Sequence, residues 1–108
     1  MTAAAQLTAV LKTLADPTRR AVFERIAGER EIAATALVKG TKVSQPAVSQ
    51  HLRALRDAGL VMERREGRHV YYRRAPKGLA PVTDWLSTYQ AFWQERFENL
   101  EKLLEEDE

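Results

Sequence analysis

The chain has 108 residues, 44% of them apolar, and a net charge of +2, which is one domain of chain with enough apolar residues for a core. So short a chain buries only a modest share of its surface, so a second subunit would help to cover it. It contains no cysteine, which excludes disulfides, thiolate metal sites and thiol redox sensing, and no apolar run approaches the ~20 residues of a membrane span.

The small net charge hides a strong asymmetry. Residues 1–38 hold five Lys/Arg against four Asp/Glu, residues 39–77 ten against three, and residues 78–108 two against eight. The segments are therefore +1, +7 and −6. A basic middle predicts a polyanionic partner, and the acidic end predicts a different use for the tail. Met1 to Gln6 lacks the charged lead-in of a secretory signal, so the expected location is cytoplasmic.

Leu7, Val10, Leu11 and Leu14 recur at helical spacing and predict an amphipathic helix over 7–14. Asp16-Pro17 marks the next helix start, with Asp16 as N-cap and Pro17 where a missing N–H costs nothing. That helix carries Val22, Phe23 and Ile26 inward and stops at Gly28. A third, short helix is expected from Ile32 to Val38, then a turn over Gly40-Thr41-Lys42-Val43.

Ser44 caps the fourth helix, so residues 32–58 read as a helix-turn-helix. Val48, Leu52 and Leu55 fall within about 60° of one another at 3.6 residues per turn. The opposite arc holds Pro46, Gln50 and Arg53, flanked by Gln45 and Ser49. A helix buried on one side and lined with amides, a hydroxyl and a guanidinium on the other suits the major groove of DNA.

Leu60 to Arg65 and Arg68 to Arg74 alternate and are rich in Val and Tyr, which predicts a hairpin wing over 60–74 with Glu66-Gly67 at its tip. In that register Arg65 faces Arg68 and Arg64 faces His69, a like-charge arrangement poor for folding and suited to phosphate. Alternation turns at least one of Tyr71 and Tyr72 inward, so both are read as packing residues.

Ala75-Pro76-Lys77-Gly78 breaks the strand, and one long helix is expected over 79–104. Its stripe includes Trp85, Leu86, Tyr89, Phe92, Trp93, Phe97 and Leu100. That stripe is too long and too aromatic for one side of a small monomer to cover. It is read as a homodimer interface, joined by Leu7, Val10 and Leu11 of the first helix.

This order of elements resembles the winged helix-turn-helix repressors of the ArsR/SmtB family over roughly residues 7–104. The residues that carry the resemblance are Leu14-Ala15-Asp16-Pro17-Thr18-Arg19-Arg20, Val43-Ser44-Gln45-Pro46-Ala47-Val48-Ser49-Gln50-His51-Leu52-Arg53-Ala54-Leu55, Ala58-Gly59-Leu60-Val61, Arg64-Arg65-Glu66-Gly67-Arg68 and Val70-Tyr71-Tyr72-Arg73. The resemblance implies a mainly α, dimeric winged helix-turn-helix in the order α-α-α-α-β-β-α, forming a single domain over 1–108. It also implies a homodimer that represses transcription from a palindromic operator in double-stranded DNA until an inducer releases it.

Carried over from the family, the base-reading face is Gln45, Ser49 and Gln50, with Arg53 behind it. Ser44 is a helix cap or a phosphate contact, and His51 a satisfied structural histidine or a phosphate contact. Lys42 is a phosphate candidate, and Arg64, Arg65, Arg68 and His69 are the wing contacts along the backbone or in the minor groove. Arg19 and Arg20 are read as structural or solvent-exposed before they are read as contacts.

The chain departs from the family's metal sensors. Those use cysteine pairs near the third helix, or His and carboxylates on the last one. Here the two histidines, His51 and His69, both lie in the DNA-binding half and offer no tetrahedral set. No metal and no other cofactor is expected. An organic ligand in the aromatic seam, a sequestering protein, or no inducer at all remain open. A structured-RNA module and a dimer that binds only protein are the competing functions; the small polar residues of the fourth helix favour the DNA major groove, because the A-form groove is too narrow to read. No residues form a recognisable catalytic site, so an enzyme is not expected.

Overall fold

Three of the four helices of the first half start on side chains that satisfy their free N–H groups. In the computed structural model, which describes residues 2–106, Thr2 Oγ1 accepts from the Ala5 N–H at 3.1 Å and opens α1 (Ala3–Ala15). Asp16 Oδ2 accepts from the Arg19 N–H at 2.8 Å, Pro17 takes the first helical position, and α2 (Pro17–Ala27) runs to its cap at Gly28. Arg20 donates back to the Leu14 carbonyl at 3.0 Å and ties the two helices at their corner.

The third helix starts later than the sequence predicts. Ile32 and Ala33 form a short strand, β1, and only Ala34–Lys39 is helical, as α3. Ile32 pairs with Tyr72 and Ala33 with Tyr71 across an antiparallel ladder. A buried β-branched residue on a sheet edge outweighs helix spacing over so short a stretch. Next comes α4 (Gln45–Asp57), followed by β2 (Val61–Glu66) and β3 (His69–Arg74). The sheet order is β1-β3-β2.

Twelve side chains form one core, drawn from α1, α2, β1, α3, α4 and the sheet. Ile26, Leu55 and Leu60 are fully enclosed. Val10, expected at a subunit interface, is 1% exposed and belongs to the protomer's own core, because α2 and α5 (Ala80–Ser87) already pack against α1.

The expected single terminal helix is two helices, α5 (Ala80–Ser87) and α6 (Gln90–Glu106). Between them the N–H groups of Thr88 and Tyr89 bond three residues back, to Trp85 and Leu86, instead of four. Ser87 Oγ also donates to the Asp84 carbonyl at 2.6 Å. Side-chain bonds to the preceding turn, with a β-branched Thr next in line, loosen the helix there. No residue of α5 or α6 is buried. No helix among the described residues is long and apolar enough to cross a membrane.

Candidate nucleic-acid interface

The fourth helix is held by one face and open on the other. Val48, Leu52 and Leu55 are buried, whereas Gln45, Pro46, Ser49, Gln50 and Arg53 are all exposed. Ser44 Oγ accepts from the Ala47 N–H at 3.3 Å, so its hydroxyl works as the helix cap. Lys42 is exposed in the preceding turn. Arg25 donates to the Leu37 carbonyl at 3.2 Å and fastens α2 to α3, the helix that precedes this turn.

The C-terminal end of α4 aims the wing. Gly59 takes a φ of +77°, its N–H bonds to the Arg56 carbonyl, and the Leu60 N–H reaches back to the Leu55 carbonyl at 3.0 Å. This is the paired-bond helix stop that needs a left-handed residue, and its accompanying apolar contact is between Leu55 and Leu60. The chain therefore leaves the reading helix directly into β2.

The hairpin register is one residue off the sequence expectation. Glu66 pairs with His69, so Gly67-Arg68 and not Glu66-Gly67 is the turn. Gly67 has a φ of +59° and stands first of the two loop residues, where a two-residue hairpin turn accepts glycine. Arg65 now faces Val70 and Arg64 faces Tyr71. The expected clash of like charges is absent, and the ladder is instead lined with ion pairs.

On the outer face of the sheet, Arg64 is fully engaged. Its Nε and one terminal nitrogen reach the two oxygens of Glu31 at 3.1 and 2.6 Å, and its other terminal nitrogen reaches Glu66 at 2.9 Å. Its guanidinium lies 4.6 Å from the Tyr71 ring centre. The Arg64 bond holds the Glu31 carboxyl below its usual range. Arg64 is thus a strap across three strands rather than an unpaired cation aimed outward.

On the inner face, Glu63 accepts from Arg65 at 2.8 Å, from Arg56 at 3.1 Å and from the Tyr72 hydroxyl at 3.2 Å. The Arg65 bond, then that from Tyr72, hold the Glu63 carboxyl low; burial first, then the Glu63 charge, push the Tyr72 phenol up. Neither Glu63 nor Arg56 is among the residues expected at the interface from sequence. The alternation Val61, Glu63, Arg65 was a signal that Glu63 shares the inward face of Val61, but the partners on β3 depend on the register.

His51 is half-buried, and its Nδ1 accepts from Arg19 Nε at 3.3 Å, which makes both residues part of the α2–α4 junction. Among the described residues, Lys42, Arg53, Arg68 and His69 enter no ion pair. Of the eleven residues expected at DNA, the structure therefore presents Lys42, Gln45, Ser49, Gln50, Arg53, Arg68 and His69 openly. It ties Ser44, His51, Arg64 and Arg65 to protein partners. No group of three or more His, Asp or Glu side chains placed to hold a metal ion occurs among the described residues.

A family model described as a helix-turn-helix domain matches residues 14–64. The chain is 38% identical over 96 residues to the HTH-type transcriptional regulator Rv2034 of Mycobacterium tuberculosis, a match covering 89% of this chain and 86% of that one. The chain belongs to the ArsR/SmtB family.

A second relative, the arsenic resistance transcriptional regulator ArsR1 of Pseudomonas putida, is 46% identical over 77 residues. That match takes in 71% of this chain but 57% of the relative, so the chain spans little more than half of that protein's length. Among solved structures, an ArsR-like transcriptional regulator from Rhodococcus superposes with a TM-score of 0.72 at 28% identity, covering 92% of each chain. The homodimeric winged helix-turn-helix DNA-binding domain Mb0332 of Mycobacterium bovis superposes at 0.63 with 31% identity, covering 80% of this chain and 79% of that one. These ArsR/SmtB-type proteins are transcriptional regulators, not enzymes.

Proposed function

We propose that this chain binds double-stranded DNA in a sequence-specific manner, as a homodimer on a palindromic operator, and represses transcription there without a metal. The observation that carries the reading is the split of α4. Three buried aliphatic side chains lock the helix, while Gln45, Ser49, Gln50 and Arg53 stand free on its outer side, beside a wing tipped by Arg68 and His69. Glutamine suits adenine in the major groove and arginine suits guanine or phosphate.

The dimer is supported by what α5 and α6 leave uncovered. Trp85, Leu86, Tyr89, Phe92, Trp93, Phe97 and Leu100 are between 44% and 63% exposed. A compact chain of 12.3 kDa would expose about 6,100 Å², and this one exposes 8331 Å². The excess of about 2,200 Å² exceeds the ~800 Å² that one partner contributes to a standard interface and falls in the range of one partner's share of a large obligate one. A two-fold pair would place two copies of α4 about one DNA turn apart, which calls for a palindrome. Independence from soft metals is supported by the lack of cysteine, which removes the thiolate ligands that such ions prefer.

The test is selection of binding sites from a randomised duplex library, followed by a gel shift of the selected duplex against nonspecific DNA. A recovered inverted repeat bound at least a thousandfold over random duplex supports the reading. A gel shift of double-stranded RNA but not of duplex DNA, or of neither at low salt, overturns it.

A further inference from the structure

Glu63 is placed where no nucleic-acid contact is expected, yet it joins three parts of the interface. Its carboxylate takes Arg56 from the last turn of α4, Arg65 from its own strand β2, and the Tyr72 hydroxyl from β3. The side chain is only 16% exposed, against 44% for Arg56 and 73% for Arg65. Arg56 and Arg65 therefore converge on a sheltered anion. The backbone link between α4 and β2 is Ala58-Gly59-Leu60, anchored in the core by the buried Leu60; beyond it, Glu63 is the polar side chain that ties the last turn of the helix to both wing strands.

We propose that Glu63 is a positioning residue for DNA recognition. It fixes the angle between reading helix and wing, and it orients Arg65 through Nε so that the far side of that guanidinium points outward. The proposal rests on the DNA-binding reading above. Base contacts by α4 and phosphate contacts by the wing gain together only when both are made in one register, and that requirement is met on the operator alone. On random DNA the same carboxylate is a cost, because it offsets a cation that would otherwise meet phosphate. Glu63 should thus trade general affinity for discrimination.

Glu63→Gln keeps the shape and removes the charge. Its expected effect has two opposite parts. Affinity for random duplex rises severalfold at low salt, and the slope of log affinity against log salt steepens by about one. Affinity for the library-selected duplex falls, so that the ratio of selected to random binding drops by about tenfold or more. Arg56→Met, a half-exposed side chain whose loss is tolerable to the fold, breaks the helix side of the tie. It should lower the ratio without raising random binding. The double variant should lose no more discrimination than Glu63→Gln alone, because both act through one contact.

A ratio unchanged in Glu63→Gln overturns the proposal. So do both affinities rising alike, which is simple removal of a negative charge, and both falling alike, which is a general loss of structure. If the wild-type chain itself shows no preference for the selected duplex, the DNA-binding reading has failed, and this proposal falls with it. If wild type discriminates and the variants do so equally, only the role of Glu63 is refuted.

Discussion

Residues 10–72 and residues 80–106 are built on opposite terms. The first stretch holds all twelve buried side chains and most of the long-range bonds. The second is helical, richer in aromatics, and has no buried residue in either helix. Its apolar stripe is no smaller than that of α4, so a shortage of apolar side chains does not explain the exposure. The difference is what faces the stripe. α4 lies against α2 and β2, whereas α6 leaves the body and stretches the molecule to 63 Å along its longest axis. A helix gains most of its stability from the surface that it packs on. The body is self-sufficient, whereas beyond the packing of α5 on α1 the tail has a surface that the proposed second copy would cover.

The comparison breaks most sharply if the tail is damaged. Trp93→Ser with Phe97→Ser removes two exposed aromatics that contribute nothing to the protomer core. Aromatic anchors at an interface centre contribute about 2 kcal/mol or more each, so dimer dissociation should rise by about a thousandfold. Sedimentation at micromolar concentration checks this. The body should keep its circular dichroism and its sheet. If the double variant stays dimeric, the tail is not the interface.

The complementary cut is Leu55→Ala. Leu55 is 0% exposed and sits where α4 meets the core. Deleting such a side chain costs about 2–5 kcal/mol, read as a lower urea midpoint. The interface should be intact wherever the protein is folded. Asp16→Ala is smaller. It removes the cap of α2 and should cost about 1 kcal/mol.

The body was the more legible region. Caps at Asp16 and Ser44, stops at Gly28 and Gly59, and the buried faces of α2 and α4 all follow from local spacing, and all are found. Errors arose where a distant partner decides the outcome. Ile32 is extended because β3 is beside it. The hairpin tip shifted by one residue, and that single step re-paired every wing arginine. From sequence, Arg64 and Arg65 were unbound cations. In the fold they are held by Glu31, Glu66 and Glu63. The wing's openly presented charge therefore sits at Arg68 and His69, and Arg68→Ala should flatten the salt dependence of DNA binding by about one phosphate contact. Arg64→Ala should change it less. The reverse order would mean that the Glu31 strap opens on DNA.

The smallest expected effect is on pH, and it belongs to the body alone. Glu63 has an ordinary value of 4.5 and is held lower by its bonds from Arg65 and Tyr72. The unfolded chain therefore takes up its proton before the folded chain does. Stability from this carboxylate is present above 4.5, and it declines as the pH falls through the folded value. At neutral pH, Glu63→Gln should unfold at lower urea than wild type. As the pH falls from 4.5 through the folded value the two midpoints should converge, because the wild-type side chain then comes to carry a proton in both states. A gap that does not begin to shrink as the pH falls below 4.5 would mean that Glu63 stabilises through its shape and packing. A gap confined to neutral pH would tie it to charge, as a link that holds Arg56 and Arg65 to one anion requires.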